Sequence, residues 1–446
     1  MKTCAVIFLF IIVFSISACG GKNNYVMDNE PQYYMGPNAA ASENGYYYLA
    51  APPVFNGTEG YRNYLYYYDI NDEISVPLCS KIGCKHDDEN CEAYLSESNC
   101  LGSHIWYING RIYMIERTSE QDTLVSYDSK KRNKRTEAVL SVDGLSVNMN
   151  AYFLRRAVIT HGELIYILVD ESSLRLYSLN INTKESKMLK EYKSQYNIRE
   201  TITLYAIDDK VYITYTTGYS ATYNNYILDV YDIKKSEIED LINVERDYPD
   251  LVEKVKRWND ETCFDHEGNV YFKVEDENKL SIYKINTVTG KMDEFYSIDV
   301  ENSSAFDYIK FYGYDGDYLH LYEGVDVVQR KKLYKREKGP IQSNKMHVIA
   351  LDGKLIEKQE LIEKNQYSLI EITRWYGGDK GKYFFATRTT SIENLEFGEQ
   401  YKEKYNEMNA KVSPTSGISP SACQIILYDK QKSENGEWSF SDITIE

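Results

Sequence analysis

One unit recurs seven times along this chain, and that recurrence constrains the fold more than any other feature. Each copy opens on a tight turn, usually with glycine, and runs into a strand of aromatic and apolar residues. The copies are "ENGYYYLA" (43–50), "INGRIYMIE" (108–116), "THGELIYIL" (160–168), "IDDKVYITY" (207–215), "HEGNVYFKV" (266–274), "YDGDYLHLY" (314–322) and "DKGKYFFAT" (379–387). Turn formers followed by β-branched and aromatic residues are a strand signature. A second signature follows each copy, a strand ending in tyrosine and a polar turn, as in "YLYYYDINDE" (64–73), "ILDVYDIKKSE" (227–237) and "KKLYKREKG" (331–339). A third apolar segment usually completes the unit: "ISVPL", "TEAVL", "SKMLKEY" or "MDEFYSI".

A sheet of two to four short antiparallel strands cannot bury both faces alone. Stacking such sheets around an axis buries each against the next. The expected fold is therefore all-β, a single β-propeller of about seven blades; six or eight also fit, because the last unit is interrupted. A pair of β-sandwiches is the rival strand-rich architecture, but it does not call for the same unit seven times. The chain carries 43 tyrosines, and their rings suit packing between blades while the hydroxyls reach solvent or backbone. An aromatic platform for carbohydrate is the other use of such a stripe. Two segments break the β rhythm, "KSEIEDLINVERDYPDLVEKVKRWND" (235–260) and "SIENLEFGEQYKEKYNEMNAKV" (391–412). They predict two short helical insertions, at about 238–258 and 392–411, on the loop face where propellers bind their ligands.

The N-terminus speaks to location. "MKTCAVIFLFIIVFSISACGGK" has an early lysine, then an apolar run too short to span a bilayer, then small residues. Residues 1–18 read as a signal peptide, and Ile16-Ser17-Ala18-Cys19 resembles the lipobox of bacterial lipoproteins. That resemblance implies acylation of Cys19 after cleavage, with residues 19–41 as a lipidated tether and 42–446 as the propeller domain. The expected location is the extracytoplasmic face of the cell membrane of a Gram-positive cell, held by the lipid. A formal net charge of −17 with no basic face excludes nucleic acid as a natural partner.

The stretch "LCSKIGCKHDDENC" (78–91), with Cys100 beyond it, poses a separate question. Cys79, Cys84, Cys91 and Cys100 could be zinc ligands, with His86 able to replace one; they could be paired disulfides, or free thiols. The cysteine spacings lack the C-x2-C pair of common zinc sites, the loop is acidic and polar, and an exported chain meets oxidising conditions. The expectation is two disulfides among Cys79, Cys84, Cys91 and Cys100, stapling the first blade through the 79–100 loop, and no metal. Cys263 and Cys423 border β segments and are expected to be buried and free.

No motif for hydrolysis, phosphate binding or dinucleotide binding is present, and the six histidines are scattered. "DHEGN" (265–269) and "DGDY" (315–318) read as hairpin turns rather than calcium loops. Taken together, the lipobox, the Tyr-rich repeats and "LCSKIGCKHDDENCEAYL" resemble the propeller lipoproteins of gut Firmicutes, classed with TolB-type and low-density-lipoprotein-receptor-like propellers of unknown function. The resemblance implies a fold and a location; it brings no catalytic residue and no cofactor. The expected function is non-catalytic binding of an extracellular protein or glycan. A glycan-active propeller enzyme using paired axial carboxylates is one alternative. A sensor or assembly subunit of a membrane complex is the other.

Overall fold

A computed structural model describes residues 33–35, 39–50, 54–55, 63–86, 90–95, 105–117, 121–128, 133–142, 145–146, 153–169, 173–193, 202–220, 223–253, 257–276, 278–300, 309–323, 345–360, 371–379, 383–390, 421–430 and 440–445. Each of the seven sequence units is a four-stranded antiparallel meander. The first comprises Ala39–Ser42, Gly45–Ala50, Asn63–Asp69 and Ile74–Pro77; the second Ile105–Ile108, Arg111–Arg117, Asp122–Asp128 and Lys134–Val139. The third runs through Phe153–Thr160, Glu163–Val169, Ser173–Asn180 and Ser186–Lys193, and the fourth through Thr203–Ile207, Lys210–Ser220, Tyr223–Asp232 and Glu237–Asn243. The fifth holds Arg257–Phe264, Val270–Asp276, Lys279–Ile285 and Met292–Asp299, and the sixth Ile309–Tyr314, Tyr318–Glu323, Lys345–Ala350 and Leu355–Glu360. Glu371–Asp379, Tyr383–Thr390, Ser421–Asp429 and Phe440–Ile445 make the seventh.

Among the described residues these meanders form a β-propeller of six blades, because the last and first share one sheet. Meanders two to six are separate four-stranded sheets, whereas the last and first belong to one eleven-stranded sheet. The join is a parallel contact of Thr444 with Ile74 and Ile445 with Ser75. The strand Tyr33–Met35 pairs antiparallel with Glu371–Asp379, Tyr34 opposite Gly378 and Met35 opposite Gly377, so it also lies on the last meander.

The recurring turn of the sequence joins the first and second strands of each meander. Its glycines and polar residues have a physical reason. Asn109 and Gly110 have φ of 50° and 75°, and His161 and Gly162 have φ of 48° and 75°. Two successive left-handed residues match the twist of a tight hairpin. The turn from third to fourth strand has its own device. Asp69 Oδ1 accepts from the N–H groups of Asn71 at 2.8 Å and Asp72 at 3.3 Å. Asn180 repeats this with Asn182 at 3.0 Å and Thr183 at 2.9 Å, and Asn286 with Val288 at 3.1 Å and Thr289 at 2.8 Å. In each case the fourth residue on, Glu73, Lys184 or Gly290, is left-handed. A short side chain that satisfies turn amides explains why Asp or Asn stands at the end of these third strands.

Packing follows from the two-residue period of a strand. In Gly45–Ala50 every residue is buried, yet successive side chains go to opposite faces. Tyr46 and Tyr48 join Tyr64, Tyr66 and Tyr68 on one face. Tyr47 and Leu49 join Leu65, Ile105, Ile112 and Met114 of the next meander on the other. Comparable clusters lie between meanders two and three, three and four, four and five, and five and six. Tyrosine rings carry several of these contacts, as in the stack of Tyr226 on Phe272 at 4.6 Å and of Tyr47 on Tyr107 at 5.3 Å.

Two sequence expectations shift. Among the described residues, helix in the first predicted insertion occurs as Val244–Asp247 and Pro249–Val252. Glu237–Asn243 and Arg257–Phe264 are strands, because they pair, through bulges, with Tyr223–Asp232 and Val270–Asp276, which satisfy their backbone hydrogen bonds. The segment 392–411 lies outside the described residues, as do residues 1–32. In the sixth meander the third strand is Lys345–Ala350, not "KKLYKREKG" at 331–339, which also lies outside the described residues. "KMHVIA" carries no tyrosine, so the Tyr signature pointed to the wrong segment.

Candidate functional site

The two ends of the propeller differ. In a four-stranded meander the first–second and third–fourth turns fall at one end. The second–third turns and the links to the next meander fall at the other. At the first end the first–second turns are short, such as 43–44, 109–110, 161–162, 208–209 and 315–317. At the second end the second–third connections lengthen sharply in three consecutive meanders: 324–344 in the sixth, 391–420 in the seventh and 51–62 in the first. The 51–62 connection reaches the seventh meander, since Val54–Phe55 pairs with Ser421–Ala422 at the head of its third strand. The cysteine loop, which links the first meander to the second, and the two short helices lie at this same end.

The cysteine loop is built on the first meander. After Pro77 the chain leaves the outer strand, and Leu78 N–H donates to Leu65 O at 2.8 Å. A turn follows in which Cys84 N–H donates to Lys81 O at 3.2 Å, with Gly83 at φ 75° and Ile82 fully exposed. His86 is also left-handed, at φ 53°. The chain then comes back along the first meander: Leu65 N–H donates to Ala93 O at 2.9 Å, and Tyr94–Leu95 pairs with Asn63–Tyr64. Ser80, through both N–H (2.9 Å) and hydroxyl (2.7 Å), donates to Glu92 Oε2, closing the loop on itself.

These contacts bring Cys79, Cys84, His86 and Cys91 together, with one donor atom from each lying within 4.8 Å of all the others. His86 Nδ1 is 3.3 Å from Cys91 Sγ. Cys91 is 3% exposed and packs with Ala93 against Tyr46, Tyr48, Tyr64, Tyr66 and Tyr68; Cys79 and Cys84 flank that cluster. Burial pushes the Cys91 thiol up to about 12, against the lowering effect of the Ala93 N–H. Burial also acts on Cys79, but the backbone N–H groups of Lys81 and Glu92, with the neighbouring thiols, outweigh it and hold Cys79 below the usual thiol value. In the structure Cys79, Cys84 and Cys91 are free thiols that converge with His86. Cys100, the fourth member of the expected disulfides, lies outside the described residues, as does Cys19. Cys263 is buried and free. Cys423 lies on the strand Ser421–Asp429.

Among the described residues, several buried charged groups of the fifth to seventh meanders hold turns and neighbouring meanders. Asp265, at the first–second turn of the fifth, accepts from Glu267 N–H, Asn269 N–H, Asn269 Nδ2 and Tyr271 Oη, all at 2.8–2.9 Å. Asp315 takes the same place in the sixth. It accepts from the N–H groups of Asp317 and Tyr318 at 2.9 Å and lies 2.7 Å from His320 Nε2. Lys430 of the seventh meander completes that group, 3.0 Å from Asp315 Oδ1 and 2.8 Å from Asp317 Oδ2. Lys273 Nζ donates to Ile309 O at 2.7 Å across the fifth–sixth boundary, and His347 links Tyr296 (2.9 Å) with Glu323 (3.0 Å) across the same boundary. "DHEGN" and "DGDY" thus work as hairpin turns. Spacing alone marks neither Lys430, whose partners Asp315 and Asp317 lie in another meander, nor His320, whose partner Asp315 stands five positions before it in the same hairpin.

No family model matches the chain, and the search of curated proteins found no match. Solved structures are similar to it. The dipeptidyl peptidase 4 of Porphyromonas gingivalis matches at 8% identity and a TM-score of 0.42, covering 93% of this chain and 53% of that one, so the chain spans about half the peptidase's length. The β-propeller domain of the Trilobed protease from Pyrococcus furiosus matches at 12% identity and a TM-score of 0.41, covering 76% of this chain and 83% of that one. TolB from Acinetobacter baumannii matches at 13% identity and a TM-score of 0.32, covering 74% of this chain and 67% of that one.

Proposed function

We propose that the chain is a non-catalytic, lipid-anchored protein of the outer face of the cell membrane, and that its propeller binds an extracellular protein or glycan at the end bearing the long connections. The asymmetry of the two ends carries this reading. Tight turns close one end, whereas the strands joined by the long connections 324–344, 391–420 and 51–62 end at the other, in meanders that follow one another around the ring. A fold that needed only to close would require no such insertions, and long connections on a rigid scaffold are where recognition residues are placed. The charged groups named above support a non-catalytic role, since each is tied to a turn or to a neighbouring meander. The lipobox form of residues 16–19 supports the anchor.

The test compares two variants on living cells by surface cross-linking. One replaces 324–344 with an Asn-Gly turn; the other replaces the opposite-end turn 233–236 with a sequence of equal length. The proposal expects cross-linked partners of the wild type to vanish with the first and persist with the second, with both variants folded by near-ultraviolet circular dichroism. Equal retention by both variants would move the binding surface elsewhere. Turnover of a polysaccharide panel by the purified chain would replace binding with catalysis.

A further inference from the structure

We propose that Cys79, Cys84, His86 and Cys91 form a structural zinc site that clamps the first inter-meander loop to the tyrosine face of the first meander. The donor set is three sulfurs and one imidazole nitrogen, the borderline-soft combination that suits Zn2+ and not Mg2+ or Ca2+. A tetrahedral site of this composition, with Zn–S of about 2.3 Å and Zn–N of about 2.0 Å, needs sulfurs about 3.8 Å apart and a nitrogen about 3.5 Å from each. The four donor atoms already lie within 4.8 Å of one another, and His86 Nδ1 is 3.3 Å from Cys91 Sγ. Movements of about 1 Å therefore complete the tetrahedron.

The loop is folded so as to produce this convergence. Two left-handed residues, Gly83 and His86, turn the chain back so that Cys84 and His86 face the sulfur of Cys79. The return strand Tyr94–Leu95, fixed by its pairing with Asn63–Tyr64, holds Cys91 under them. Backbone N–H groups of Lys81 and Glu92 point at the Cys79 sulfur, and that of Ala93 points at Cys91. Such donors stabilise the anionic sulfur that a metal requires and orient it, as outer-shell groups do around known metal ligands. All four coordination positions come from the chain, so the site is closed, the pattern of a structural centre and not of a catalytic one.

Apolar contact alone does not explain the loop. Between Cys79 and Cys91 the sequence "SKIGCKHDDEN" is polar throughout, and its only apolar side chain besides the cysteine, Ile82, is fully exposed. The sulfurs are what touch the tyrosine cluster. A disulfide between two of the three would draw those sulfurs to about 2.05 Å and use only two of the four converging groups. One metal ion uses all four groups. Binding displaces the thiol protons into solvent, so the ion and three thiolates carry one net negative charge together.

The experiment uses the full-length chain, purified from membranes in detergent without chelator. Elemental mass spectrometry should find one zinc per chain. Replacing zinc with Co2+ should give the visible ligand-field bands of a tetrahedral ion together with a near-ultraviolet thiolate charge-transfer band. Cys84→Ser should lower bound zinc at least tenfold at equal free metal, whereas His86→Cys should retain it. Chelation should lower the thermal midpoint of the wild type and leave Cys84→Ser unmoved. The wild-type stoichiometry and cobalt spectrum stand even if a variant fails to fold. Zinc below one tenth of an equivalent overturns the proposal, whether thiol titration then finds disulfides or finds all thiols free. So does octahedral cobalt, or stoichiometric zinc that is undiminished in a folded Cys84→Ser chain.

Discussion

Lys430 Nζ, just past the third strand of the last meander, sits 3.0 Å from Asp315 Oδ1 in the sixth, with 2% and 0% of their side chains exposed. The two residues are 115 positions apart in the chain. The pair ties the last meander to the turn of the one before it. Asp317 and His320 complete the group at 2.8 Å from Lys430 Nζ and 2.7 Å from Asp315 Oδ2. Removing one member of such a buried group leaves the others charged and uncompensated, which costs about 3–5 kcal/mol.

Lys430→Met should therefore lower stability by about 3 kcal/mol or more, read as a fall in the urea midpoint. Asp315→Asn in the same background should restore part of the loss, because the carboxylate left behind is the source of the cost. A single Lys430→Met change costing under about 1 kcal/mol would show that the pair contributes little.

Acid should act on the same group. Burial opposes ionisation of Asp315, but His320 and Lys430 outweigh it and hold its carboxyl at about 2. The folded value lies below the unfolded one of about 3.9, so this contribution is present above about pH 4 and is lost as pH falls toward 2. Stability of the wild type should fall more steeply across that window than that of Asp315→Asn. Parallel acid limbs for the two proteins would contradict the assignment.

Two glycines should respond differently to alanine. At Gly110, with φ 75°, an added Cβ meets nothing within 4 Å, so the cost is conformational, about 1 kcal/mol. At Gly45 the added Cβ would stand 1.9 Å from Tyr68 O, a backbone atom that cannot swing aside. Gly45→Ala should cost about 3 kcal/mol by forcing the paired strands apart. Thermal or urea unfolding of the two variants ranks them, and an equal cost would dismiss the close approach.

The aromatic seams between meanders should carry a large part of the stability. Phe272, fully buried, stacks on Tyr226 of the preceding meander at 4.6 Å with planes 13° apart. Phe272→Ala should cost about 3–5 kcal/mol, and Phe272→Leu markedly less, since it keeps most of the volume. Near-equal losses for the two would point to ring geometry, not packed volume, as the source.

Lipidation is testable without any structure. Cys19→Ala should abolish incorporation of an alkyne fatty acid in growing cells, because residues 16–19 have lipobox form. Labelling equal to wild type would remove the anchor from the proposed function.

The repeating architecture was legible in the chain because its causes are local. Turns such as Asn109–Gly110 and His161–Gly162 need left-handed residues, and Asp69, Asn180 and Asn286 satisfy amides two or three positions away. Such requirements show up as short patterns that repeat. Where the local pattern weakened, reading failed: Lys345–Ala350 has no tyrosine to mark it, and the helical spacing around Pro249 extended over strands whose partners lie elsewhere in the chain.

The rest was decided by tertiary contact. That the seven units make six blades depends on Thr444 and Ile445 meeting Ile74 and Ser75, a contact between the two ends of the chain. The gathering of Cys79, Cys84, His86 and Cys91 depends on the return of Tyr94–Leu95 to Asn63–Tyr64, so spacing alone hid it. Lys430 reads as one lysine among many until the packing of the seventh meander on the sixth places it against Asp315. Most strands of each meander follow from local sequence, because hairpin hydrogen bonds and two-residue alternation act over a few positions. Only the folded chain decided which meanders share a sheet and which charges and thiols meet, because those contacts join residues brought together by packing and not by their order in the chain.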